Sequence, residues 1–295
     1  KEGVARYHGP FMAQKEHTNC PLCKNASAEH LLEKDGFDLV RCTECRLFYI
    51  NPRLTPEALE AMYNANEISP QQYYEMNISQ DLLHFKTRLD IIERFKKRGE
   101  MLDIGTNIGT MLKVAKDNGW GVKGIEFNHN AVKFGNDHFG VNIEDRDFTK
   151  AQFPPESFDV ITMNDVIEHV IDPVATLREV RRILKSDGIL FMTTPDIGGL
   201  MYKIFKKHWL HLKPNEHLTY FDAKTMKELL KRSGFKLGHM QSIGHKRSLE
   251  TILVKSRTYS SIPSKLGSII PRSWRESISL NVNAGDEMAV VATKI

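Results

Sequence analysis

Four cysteines fall in two pairs, Cys20-Pro21-Leu22-Cys23 and Cys42-Thr43-Glu44-Cys45, with residues 24–41 between them. Each two-residue gap lets a tight knuckle aim two thiolates at one metal, and the second knuckle completes a tetrahedron around Zn2+. Four thiolates fill that shell, so no position is left for an activated water and the metal would be structural. Two disulfides or a redox pair are the competing readings, and they need an oxidising compartment that nothing else in the chain suggests. A second constellation is Asp103-Ile104-Gly105-Thr106-Asn107-Ile108-Gly109-Thr110. Gly105 and Gly109 would let backbone approach a ligand where a Cβ would clash. A dinucleotide site wants G-x-G-x-x-G so that a pyrophosphate meets a helix N-terminus. The G-x-x-x-G spacing here, with an acid before it, suits a cationic, phosphate-free ligand better. Glu126, twenty-odd positions on, could accept both ribose hydroxyls of an adenosine. A third stretch, residues 206–221, carries His208, His211 and His217 among aromatics and cations. So long a connection in a compact α/β domain is usually an active-site cover.

The elements that position these groups follow from periodicity. Residues 1–50 are short, turn-rich and poor in apolar material, so they need the metal to fold. Thr55 can cap a helix that begins at Pro56 and runs to about Tyr63. Ser79 can cap a longer one, in which Leu82, Leu83, Phe85, Leu89, Ile92 and Phe95 recur at helical spacing. From residue 100 the pattern becomes strand–helix alternation. Strands are expected at Met101–Ile104, Val122–Phe127, Phe158–Met163 and Ile189–Thr193. Helices are expected up to Asn118-Gly119, over Ala131–His138, from Asp172-Pro173 to Gly188, and from Asp222 to Ser233-Gly234. Phe235–Met240 and Met288–Ala292 read as a final strand pair. Such alternation means an α/β fold with a parallel sheet covered on both faces, its ligand beyond the carboxyl ends of the strands.

Composition sets the outer bounds. The 295 residues are 41% hydrophobic and 26% charged, which excludes disorder, collagen and coiled coil. A net charge of +4 is too small a bias to imply a polyanion partner, so nucleic acid is disfavoured. No apolar run approaches the ~20 residues of a spanning helix. The expectation is a soluble, cytoplasmic enzyme.

With the motifs quoted, the chain resembles the class I S-adenosylmethionine-dependent methyltransferases across roughly residues 80–295. The resemblance implies a Rossmann-like seven-stranded sheet, with an N-terminal zinc ribbon added here. The implied organisation is a zinc-ribbon module at 1–50, a helical substrate cap at 51–98 and a methyltransferase domain at 99–295. Lid insertions would fall at about 195–220 and 245–285. The cofactor would lie over Asp103, Gly105, Thr106, Asn107 and Gly109, with its ribose on Glu126 beside Phe127. Asn107 stands where the family usually has Gly, and Asn tolerates a left-handed backbone. By the same resemblance Asp147 hydrogen-bonds the adenine amino group, Phe148 packs on the ring, and Asn164 and Asp165 line the methionine end. Glu168-His169-Val170 with Asp172-Pro173 is similar to the ubiquinone-type O-methyltransferases.

Glu216-His217-Leu218-Thr219-Tyr220-Phe221 resembles the Glu-His-Leu-x-Tyr-Phe motif of zinc-containing deoxysugar C-methyltransferases. Those enzymes also have a Tyr-rich stretch before the core, as Tyr73-Tyr74 and His84 are here. In them the Glu-His pair is thought to abstract a proton, which makes His217 a candidate catalytic base supported by Glu216. The bland alternatives are that His217 only anchors its loop and that His169 is a packed histidine. The implied acceptor is a small molecule: a sugar, nucleotide-sugar or related biosynthetic intermediate. An RNA methyltransferase docking through its ribbon, or a cofactor-binding protein without turnover, are the rivals. Lys203, Lys206, Lys207 and Lys213 could meet a substrate phosphate or simply form a solvated face. The apolar-basic stretch 256–280 could be a second pocket wall, a homodimer contact or a membrane-surface patch.

Overall fold

A computed structural model describes residues 14–64, 70–249, 253, 270–271, 274 and 279–295. In chain order the N-terminal part contains β1 (Lys15–Glu16), β2 (Ala28–Lys34), β3 (Phe37–Cys42), β4 (Phe48–Ile50) and β5 (Arg53–Leu54). Two helices follow, α1 (Pro56–Asn64) and α2 (Pro70–Ile92). Thr55 caps α1 as expected, its Oγ1 accepting from the Ala58 N–H at 3.2 Å. Ser79, expected as a cap, instead lies inside α2, which starts at Pro70. Proline is pre-set for the first helical turn, so the polar stretch 71–74 continues the helix rather than separating two. The side chains of 71–74 lie outside the described residues. Leu82, Phe85, Leu89 and Ile92 form the inward stripe, packing with Met101, Met111 and Trp120.

The remaining elements are β6 (Glu100–Ile104), α3 (Thr110–Asp117), β7 (Gly121–Glu126), α4 (His129–Phe139), β8 (Ile143–Asp145), β9 (Phe158–Asn164) and α5 (Pro173–Ile183). They continue with β10 (Leu184–Pro195), α6 (Leu200–Phe205), β11 (Thr219–Tyr220), α7 (Ala223–Arg232) and β12 (Phe235–Ser242). The last are β13 (His245–Ser248), β14 (Ser279–Val282) and β15 (Glu287–Lys294). The helix opened by the Asp172 cap stops at Ile183 rather than Gly188. Leu184 is already extended, and the irregular register between Leu184 and Ile189 absorbs the change of direction. The stretch 256–280 singled out in the sequence lies almost wholly outside the described residues.

Seven strands form one sheet in the order β12-β15-β10-β9-β6-β7-β8. β15 runs antiparallel to both neighbours, and the other pairings are parallel. From β6 the chain builds one way to β7 and β8, then crosses over to β9 and builds the other way. The crevice at the carboxyl ends of β6 and β9 is therefore the topological switch point, where a ligand belongs.

The cysteine module is not a free appendage. A second sheet has the order β11-β4-β3-β2, so Thr219 and Tyr220 from beyond β10 pair with Tyr49 and Phe48. Cys20, Cys42 and Leu47 share one hydrophobic core with Leu177, Leu190, Phe221 and Met226. The long connection expected to be a lid is also packed here. Trp209, Leu212, Leu218 and Tyr220 are buried together with Phe37, Leu54 and Met62.

Candidate functional site

The loop between β6 and α3 needs backbone geometry that most side chains resist. Gly105, Asn107 and Gly109 have φ of 67°, 52° and 78°. A Cβ on Gly105 would lie 2.6 Å from Val166 Cγ2, so the turn also needs the missing side chain for space. Asn107 adopts the left-handed conformation that the sequence predicts it can tolerate. Gly109 serves packing instead: its added Cβ would meet Ile143 and Val141, and it does not line the cavity.

Two buried carboxylates organise this loop. Asp103, at the end of β6, accepts from Thr106 Oγ1 at 2.6 Å, Thr162 Oγ1 at 2.5 Å and Asn164 Nδ2 at 3.2 Å. Burial nevertheless pushes its carboxyl up to about 6. Glu126, at the end of β7, accepts the Asn107 N–H on Oε2 at 3.0 Å and the Phe127 and Asn128 N–H groups on Oε1, both at 2.9 Å. Burial raises Glu126 as well, against those backbone donors. A carboxylate offers about four lone-pair sites, so Oε2 keeps acceptor capacity for a hydroxyl.

These groups surround a cavity of about 520 Å3, within the range of small-molecule sites. Its lining brings together Asp103, Gly105, Thr106, Asn107, Glu126, Phe127, Asn164 and Asp165, all expected from the sequence. Phe127 is 47% exposed at the rim. Asp147 and Phe148 are not on this lining. Asp147 caps a short turn by accepting the Thr149 N–H at 2.8 Å, and Phe148 is buried in the core.

Sequence reasoning missed several participants. Arg88, on α2, is 2% exposed and reaches Asn164 Oδ1 at 3.0 Å, Asp165 Oδ2 at 3.2 Å and Glu287 Oε1 at 2.7 Å. It therefore sets the side chains at the β9 end of the cavity. Tyr63 and Phe85 also line the cavity, with Tyr63 edge-on to Phe127 at 5.2 Å and Phe85 beneath the Arg88 guanidinium at 5.1 Å. Tyr63 was visible only as the end of an amphipathic helix, and Arg88 as one cation on another.

His217 is 4% exposed and stands behind His169, their rings 4.7 Å apart at 85°. Of the two, His169 lines the cavity. The Glu216 backbone carbonyl lies 3.0 Å from His169 Nδ1, while its carboxylate sits 3.5 Å from Lys213 Nζ. Burial lowers both imidazoles below their usual range and raises the Glu168 carboxyl well above its own.

In the N-terminal module the four sulfurs lie within 4.8 Å of one another, with Cys20 Sγ–Cys45 Sγ at 3.4 Å and Cys23 Sγ–Cys42 Sγ at 3.5 Å. A disulfide needs about 2.05 Å, whereas sulfurs at about 2.3 Å from a tetrahedral zinc stand about 3.8 Å apart. Their mutual hydrogen bond pulls the Cys20 thiol down to about 5 and pushes Cys45 up. Four thiolates can thus coexist here only around a cation, and the donor set fits zinc.

A family model described as a methyltransferase domain matches residues 74–239, more than half of the chain. The chain belongs to this methyltransferase-domain family. Its segment is 33% identical over 111 residues to a ubiquinone biosynthesis O-methyltransferase of Pseudomonas fluorescens, covering 35% of this chain and 48% of that relative. The chain thus spans about half the length of the curated relatives it matches. Among solved structures, a possible histamine N-methyltransferase from Thermotoga maritima superposes with TM-score 0.53 at 17% identity, covering 79% of this chain and 99% of that one. An S-adenosylmethionine-dependent methyltransferase from Archaeoglobus fulgidus gives 0.51 at 20% identity, covering 75% and 99%. At such identities the likeness speaks to fold. The seven-stranded sheet is that of the S-adenosylmethionine-dependent methyltransferases.

Proposed function

We propose that the protein transfers a methyl group from S-adenosylmethionine to a small-molecule acceptor, a sugar, nucleotide-sugar or related biosynthetic intermediate. The observation that carries the reading is the convergence of two buried carboxylates, Asp103 and Glu126, on one left-handed loop at the sheet's switch point. When bound, S-adenosylmethionine supplies a methyl group on a positively charged sulfur. Asp103 gives the cavity negative charge toward the cationic methionine end, and Arg88 holds Asn164 and Asp165 in place beside it. Glu126 offers its remaining lone pair to the ribose. Asp147 and Phe148, which the resemblance assigns to the adenine, lie outside the cavity lining.

The acceptor enters between Tyr63, Phe85 and His169. The main contribution of these residues is alignment, since a held nucleophile avoids much of the entropic barrier of a bimolecular encounter. His217 and Glu216 act on the acceptor through His169: one ring packs behind it and one carbonyl fixes its proton. The four thiolates hold a structural zinc that ties residues 20–45 to the catalytic domain. Mass-spectrometric screening for +14 Da products against sugar-nucleotide and biosynthetic-intermediate pools tests the acceptor. A methylated sugar-type product supports the reading, and transfer only to RNA contradicts it.

A further inference from the structure

One donor atom from each of Glu168, His169 and His217 lies within 4.8 Å of the other two, behind the cavity wall. Glu168 spends Oε2 on the Thr194 hydroxyl at 2.9 Å, while Oε1 is buried without a hydrogen-bond partner among the described residues. His217 Nδ1 is buried in the same condition. The two side chains are 1% and 4% exposed. A buried polar atom left unmatched costs roughly 1–3 kcal/mol, and here a carboxylate oxygen and an imidazole nitrogen bear that cost in one place. Neither can be explained as a surface group turned to water.

The third member is oriented for the same purpose. His169 Nδ1 lies 3.0 Å from both the Glu216 carbonyl oxygen and the Tyr63 hydroxyl. A carbonyl can only accept, so Nδ1 carries the proton and the lone pair is left on Nε2. That nitrogen stands 4.0 Å from Glu168 Oε1. A backbone carbonyl fixing the tautomer from behind is the usual support of a metal-binding histidine. The backbone secures the spacing too: Leu218 and Thr219 donate to the Glu168 carbonyl at 2.8 and 3.1 Å, locking His217 beside it.

We propose that Glu168, His169 and His217 bind a divalent cation, distinct from the thiolate cluster, whose open positions face the cavity past His169. Two imidazoles and a carboxylate suit Mn2+, Fe2+, Co2+ or Zn2+ and leave coordination positions free. Those positions take oxygen atoms of a hydroxyl-bearing acceptor, a clause that rests on the methyl-transfer reading; the cation site itself does not. An ion about 2.1 Å from each donor holds the donors about 3.0–3.4 Å apart, so the cluster draws inward on binding. The two orphaned atoms then acquire their missing partner together.

The test titrates Mn2+ into the full chain with its thiolate site left loaded, since Mn2+ competes poorly for sulfur. Free Mn2+ is followed by electron paramagnetic resonance, and pulsed measurements read nitrogen coupling to the bound ion. The expected result is one bound Mn2+ per chain with imidazole nitrogen coupling, weakened about tenfold or more in Glu168→Gln and His217→Ala. If either variant folds poorly, the nitrogen coupling in the unmodified protein decides alone. Absence of binding at millimolar Mn2+, bound ion without nitrogen coupling, or undiminished binding in folded variants would overturn the site. Calorimetry with S-adenosylhomocysteine on the same samples separates the two ideas. Nucleoside binding without Mn2+ removes only the cation site; Mn2+ binding without the nucleoside removes the methyl-transfer reading instead.

Discussion

At the scale of single residues, Glu126 and Asp103 carry opposite kinds of test. Glu126→Ala removes a charged acceptor from the ribose and also frees three backbone donors that now converge on it. Charge-assisted hydrogen bonds are worth ~1.5–3 kcal/mol each, so S-adenosylmethionine affinity should fall at least tenfold by calorimetry. Unchanged affinity would remove the ribose assignment. Burial pushes the Asp103 carboxyl up to about 6, so as pH falls through that value it progressively loses the charge it offers a cationic ligand. Affinity should therefore fall as pH is lowered from 7 to 5, and Asp103→Asn should flatten that slope. Its effect on stability has the opposite sign. A carboxyl raised from about 3.9 when unfolded binds more protons when folded, so its contribution to stability grows as pH falls from about 6 toward 4. Both carboxylates and the left-handed Asn107 were legible in the sequence, because a turn's backbone chemistry is written locally. Tyr63 and Arg88 were not, because each becomes a site residue only through the packing of a distant helix.

At the scale of elements, α2 does more than cover the cavity. Its buried Arg88 joins β9 to β15 through Asn164 and Glu287, across strands separated by β10 in the sheet. Arg88→Met keeps the length of the side chain but removes the cation that the buried Glu287 and the half-exposed Asp165 share. Breaking a buried pair from one side costs ~3–5 kcal/mol, a loss that denaturant unfolding would register; a change under about 1 kcal/mol would show that Glu287 is otherwise satisfied. The alternation of β6 through β10 was readable because apolar runs and helix caps such as Asp172 are local signals. The start of α2 was not, since Ser79 carries a cap residue's chemistry while Pro70 carries the start. The end of α5 was missed for a related reason: no glycine stops the helix, and the sheet's own pairing takes Leu184 over.

At the scale of the whole molecule, the sequence showed the four thiolates but not what they hold. Read from spacing alone, the ribbon is a separable module whose loss would spare the core. In the fold, β11 extends its sheet, Cys20 and Cys42 sit in the catalytic domain's hydrophobic core, and His217 hangs from the connecting segment. Stripping zinc with a strong chelator should therefore lower the melting temperature of the entire chain and weaken cofactor binding, where a detachable ribbon would leave both unchanged. Metal analysis of reduced protein should find zinc in proportion to intact Cys20, Cys23, Cys42 and Cys45.

The central claim concerns the cavity between Asp103 and Glu126, and calorimetric titration with S-adenosylmethionine addresses it most directly. Saturable binding of one molecule per chain, matched by S-adenosylhomocysteine and reduced in Glu126→Ala, is the predicted result. A folded protein giving neither heat nor thermal shift with either compound would contradict it.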